Sequence, residues 1–195
     1  MRIAEKIREL YRLDEDTTFY FKALSLLFII TFLVGVMTAT LFPLEARQGV
    51  DEVSRQLEFL SGAGPFQIFG IIFLNNAIKS FVALSSGILF GIIPVVFILV
   101  NGYAIGIISA VAIAEQGTVS VLALTLPHGI FEIPAVLLAA SYGVMLGEKF
   151  YGRIKRGEPF RLSFSLATNA FFKIIVPILA IAAFIETTIG VVART

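Results

Sequence analysis

Five apolar stretches separated by polar punctuation run along this chain, and a charged leader precedes the first of them. Within residues 1–22, Ile3, Ile7, Leu10 and Tyr11 share one helical face, with Arg2, Glu5, Lys6, Arg8, Glu9 and Arg12 elsewhere. That is the pattern of a helix lying along a membrane surface. Ala23 to Phe42 is an uncharged run long enough to cross a hydrocarbon core of ~30 Å at ~1.5 Å per residue, and Pro43 stops it. Residues 43–65 are polar, but Val50, Val53, Leu57 and Leu60 repeat at helical spacing, which predicts a short amphipathic surface helix before the breakers Ser61 to Pro65.

Phe66 to Ala114 carries a single charge, Lys79, and is too long for one crossing. It divides into spans at 66–86 and 92–114 around a tight turn marked by Gly87, Gly91 and Pro94. The next run, 119–147, contains Pro127 and Pro134 and exceeds one straight span, so a bent or tilted helix with re-entrant first turns is expected. A basic loop at 148–161 precedes the fifth span, 166–185, and Glu186 falls near the outer end of that span. The predicted fold is a single all-α transmembrane domain over residues 1–195.

Composition agrees with this reading. With 57% hydrophobic residues the chain carries more apolar surface than a soluble domain of this length buries. Lys and Arg number five in residues 1–22 and five in 148–161, against Arg47 and Arg55 in 43–65, so the N-terminus is expected inside and the C-terminus outside. Localisation is therefore a multi-pass cell membrane protein whose first partner is the lipid bilayer. A net charge of +1 supplies no basic field for nucleic acid, and the absence of cysteine excludes disulfides and thiolate chemistry.

The polar residues inside the spans carry the candidate chemistry. Counted from the outer ends, Asn75 and His128 lie ~13 Å deep and Lys79 and Glu132 ~20 Å deep, with Asn76, Asn101 and Lys173 near the same layer. An unpaired charge there costs at least ~3 kcal/mol, so mutual pairing is expected. The expected buried network is His128, Glu132, Lys79, Asn75, Asn76, Asn101 and Lys173. Asn75 with Lys79 and His128 with Glu132 each share one helical face.

Small residues recur at four-residue intervals in span three, at Gly102, Gly106 and Ala110, and in span four at Ala139, Gly143 and Gly147. These stripes permit close backbone approach and are expected to face each other; they also suit a homodimer. His128 and Glu132 are metal-ligand types, but two ligands do not make a site, so no metal or cofactor is expected. The H-E-x-x-H zinc pattern is absent, and a nucleophile such as Ser85, Ser86 or Ser109 beside His128 cannot be read from spacing, so no catalytic residue is assigned.

The segment Leu126-Pro127-His128-Gly129-Ile130-Phe131-Glu132-Ile133-Pro134-Ala135 resembles the stage II sporulation protein M family of polytopic membrane proteins. Asn75 or Asn76, the Gly87 and Gly91 pair, and Asn101-Gly102 followed by Gly106 extend the resemblance over about residues 65–150. It implies an all-helical membrane protein without catalytic activity of its own, acting as an anchor or scaffold for cell-envelope partners. Two other functions fit the polar layer: a small transporter or channel component moving ions or protons, and an intramembrane metal-dependent enzyme. A cavity reaching His128 and Glu132 favours transport, a network closed by hydrogen bonds favours a scaffold, and ligand distances of ~2.0 to 2.2 Å favour a metal.

Overall fold

The computed structural model describes residues 3–56 and 62–192, with side chains described from Glu15 onward. Among these residues there are no strands, and the helices follow in the order α1 (Ile3–Leu41), α2 (Pro43–Gln56), α3 (Pro65–Ser85), α4 (Ile92–Gln116), α5 (Thr118–Arg156), α6 (Arg161–Ala170) and α7 (Val176–Val192). A 3-10 turn at Ser86–Ile88 leads from α3 toward α4, and a π turn at Phe171–Ile175 joins α6 to α7. Five stretches are long and apolar enough to cross a membrane: Glu15–Leu41, Pro65–Ile88, Ile92–Gln116, Thr118–Arg156 and Arg161–Val191.

The helix boundaries differ from the sequence expectation in three places. The leader and the first span form one unbroken helix, α1, because nothing between Arg12 and Ala23 breaks a helix. The expected basic loop shortens to Gly157–Phe160: its first half continues α5 until Gly157, whose left-handed backbone (φ 68°) caps the helix. Arg153, Lys155 and Arg156 in that last turn complement the helix dipole. The fifth span starts at Arg161 and runs past Ile185, so Glu186 lies inside it. The amphipathic helix of the 43–65 segment is α2, seated on α1 and α4 through Ala46 and Val50 against Ala39 and Val111. Leu57 and Leu60 lie outside the described residues.

Helix α5 is the shared wall of the bundle. One face, with Ala135, Ala139, Met145 and Leu146, packs on Leu84 of α3 and on Phe171, Ile175 and Leu179 of the fifth span. The other, with Leu137 and Ala140, packs on Leu24 of α1 and Ile98 of α4. Pro127 and Pro134 are accommodated within α5, where each leaves a carbonyl four residues earlier without its helix donor.

The small-residue stripes do not face each other as expected. A methyl group added at Gly102 would collide with the Phe28 carbonyl and the Thr31 side chain, and one at Gly106 with the Phe32 carbonyl, so the α4 stripe packs on α1. One at Gly143 would meet the Ala83 carbonyl and Pro94, and one at Gly147 the backbone of Gly87 and Gly91, so the α5 stripe packs on the α3–α4 turn. Ala139 is fully buried beside that turn's neighbour Leu84, whereas Ala110 is half-buried near α2. In the turn itself, Phe90 and Gly91 both take positive φ, 57° and 73°, a conformation that glycine adopts at little cost.

The α1 and α5 helices are tied at one end of the bundle. Tyr20 donates to Glu148 Oε2 at 2.9 Å, and Lys149 Nζ pairs with Asp16 Oδ2 at 2.5 Å. At the other end Arg47 of α2 pairs with Glu115 of α4 at 3.1 Å.

Candidate functional site at the α3, α5 and α7 junction

His128 and Glu132 stand one helical turn apart on α5, and α7 packs against that helix while α3 packs against both. The junction brings Glu186 of α7 to them: one ligand atom from each of His128, Glu132 and Glu186 lies within 4.8 Å of the other two. All three residues are half-buried. Close approach follows from the residues around the acid on α7, where Ala182, Ala183 and Thr187 are buried and Thr187 turns its hydroxyl inward to the Ala183 carbonyl at 2.8 Å.

On the third side, α3 brings Asn76 and Lys79 to the neighbourhood of the Glu132 carboxylate. Asn75 donates to Asn76 Oδ1 at 3.4 Å, which orients the Asn76 amide so that its N–H groups remain available for an acceptor. Among the described residues no ion pair within 4.0 Å joins Glu132, Glu186, His128 or Lys79 to any partner. His128 Nδ1 is buried and has no hydrogen-bond partner among them.

Two members of the expected network stand elsewhere. Asn101 spends its amide on the Phe97 carbonyl of its own helix at 2.7 Å. Lys173 is exposed in the π turn, thirteen positions and therefore ~20 Å along the helix from Glu186. An end at Ile185 leaves Glu186 outside the polar layer, whereas the span runs on to Val191. Its signal was nonetheless present: Ile189, Val191 and Val192 continue the apolar run beyond Glu186.

Two clefts lie away from this junction. One, of about 320 Å³, runs between α1, α5 and α7 beside Phe21, Pro134 and Tyr142; the other, of about 470 Å³, lies beside Arg153, Phe160 and Arg161. Both are lined chiefly by apolar or exposed groups, and neither includes His128 or Glu132.

Among the described residues the structure is all-helical, with five helices long and apolar enough to cross a membrane, α5 central among them, and an acid-histidine cluster where α5 meets α7, which is the build of a membrane protein. Its residues 24–190 match the profile of the family described as stage II sporulation protein M, so the chain belongs to that family. It is similar to "Uncharacterized protein MJ0793" of Methanocaldococcus jannaschii, 32% identical over 124 residues that cover 62% of this chain and 70% of the relative. No solved structure matches it.

Proposed function

We propose that this protein is a non-enzymatic, multi-pass scaffold of the cell membrane, with its N-terminus inside and C-terminus outside, that assembles with membrane or cell-envelope proteins or a second copy of itself through α3. The observation that carries this reading is the outer face of α3. Asn75 and Lys79 are exposed there together with Leu74, Ile78 and Val82, in a helix of membrane-crossing length. A lysine facing lipid at such a depth costs at least ~3 kcal/mol. A neighbouring helix that offers carbonyls or a carboxylate removes that cost, and polar side chains commonly hold helices together in bilayers.

A photo-crosslinking residue in place of Ile78, in the full chain in native membranes, tests this assignment. A discrete protein adduct is expected at Ile78 and not at Ile181, which is exposed on α7. Lys79→Met and Asn75→Leu should each weaken the adduct. Crosslinks to lipid alone at Ile78 overturn the assignment.

Ion or proton movement is the second reading, favoured by the placing of two carboxylates beside a histidine inside the bundle. The interlocked glycine backbones of α5 and the α3–α4 turn weigh against it, because alternating access needs helices that shift relative to each other.

A further inference from the structure

Packing alone leaves the α3, α5 and α7 junction unexplained. Two carboxylates stand within 4.8 Å of each other with no ion pair to either, and the histidine that shares their cluster has a buried Nδ1 with no partner among the described residues. A neutral imidazole and two carboxylates all offer lone pairs, so a cation between them satisfies the three together. We infer that His128, Glu132 and Glu186 form a binding site for one divalent transition-metal cation of the zinc or manganese class, clamping α5 to α7.

Charge, geometry and surroundings point the same way. Two carboxylates, a neutral histidine and a divalent ion sum to zero, the cheapest state in hydrocarbon, whereas Lys79 alone would leave one negative charge over. Bonds of ~2.1 Å in a tetrahedral site hold ligand atoms ~3.4 Å apart, so side-chain rotations of ~1 Å bring the three atoms from their 4.8 Å limit onto an ion. Mixed nitrogen and carboxylate ligands suit zinc, manganese or iron better than calcium, which takes six to eight oxygens. Asn76 then has a definite part: its amide, oriented by Asn75, would serve the Glu132 carboxylate as a hydrogen-bond donor from outside the metal's own ligands.

The test uses the full chain in lipid nanodiscs, purified on a tag without histidine and stripped with a chelator. Zinc or manganese is returned and counted by mass spectrometry of the metal, with thermal unfolding followed in parallel. About one ion per chain and a saturable, chelator-reversible rise in Tm are expected. His128→Gln, Glu132→Gln and Glu186→Gln should each abolish the saturable component, Asn76→Ala should weaken it about tenfold, and Lys173→Met, at an exposed position ~20 Å from Glu186, should leave it intact. His128 is the chain's one histidine, so an imidazole nitrogen in the electron paramagnetic resonance of the copper-loaded wild type identifies this site even where a variant fails to fold. Equal loading of wild type and His128→Gln overturns the proposal, as does a metal spectrum without a nitrogen ligand.

Discussion

The carboxylates of Glu132 on α5 and Glu186 on α7 lie within 4.8 Å of each other although they are 54 positions apart in the chain. From the sequence, Glu132→Gln is expected to disturb the protein more than Glu186→Gln. The structure makes them members of one cluster, so their effects should be comparable and non-additive. A double-mutant cycle on chelator-treated protein, read by thermal unfolding in detergent, should give a coupling of ~1 kcal/mol or more between them. Strict additivity would show that the two acids do not act on each other.

Gly87→Ala, Gly143→Ala and Gly147→Ala should each destabilise the bundle by ~1 to 3 kcal/mol, because the added methyl meets backbone rather than a movable side chain end. Gly190→Ala, where nothing lies within 4 Å, should leave stability unchanged or slightly raised. Comparison of unfolding midpoints among the four variants checks the contrast.

How much of this was legible in the sequence depends on what kind of signal each feature leaves. The crossing helices follow from long uncharged runs, and the tight turn follows from Gly87 and Gly91, since such signals act within one segment. Which helix a small-residue stripe touches is a different matter. Gly102 and Gly143 each announce that some backbone comes close, but four-residue spacing carries no address, and the true neighbours are α1 and the α3–α4 turn. The polar cluster was half legible for the same reason: His128 and Glu132 share a face by spacing alone, whereas Glu186 joins them through the packing of α7 on α5. Depth counted from a helix end shifts by ~1.5 Å for each residue of error in that end, enough to exclude Glu186, and depth alone does not say which face a lysine such as Lys173 takes.

The tie between α1 and α5 should be modest and separable from the cluster. Tyr20→Phe removes the hydrogen bond to Glu148 and should cost ~1 kcal/mol. A cycle between Asp16→Asn and Lys149→Met should show a coupling of up to ~1 kcal/mol, since the pair is only partly shielded from water. Metal loading should be unaffected in all these variants.

The proposed orientation is open to a direct check, because the chain has no cysteine to remove. Gly62→Cys and Lys155→Cys lie at exposed positions in segments separated by three helices long and apolar enough to cross a membrane. In intact cells a membrane-impermeant thiol reagent should label Gly62→Cys and spare Lys155→Cys. The reverse pattern would invert the topology.

Helix α5 has 39 residues, ~58 Å at ~1.5 Å per residue, against a hydrocarbon thickness of ~30 Å. Even a strongly tilted crossing leaves a third or so of its length standing in headgroups and water. Because the basic residues gather at its last turn, and the ties to Asp16 and Tyr20 lie just before it, that surplus forms a buttressed mast on one side of the membrane. A soluble protein grasping the mast would hold the same rod that carries His128 and Glu132 at its far end, so a load applied in water reaches the interior of the bilayer along a single helix.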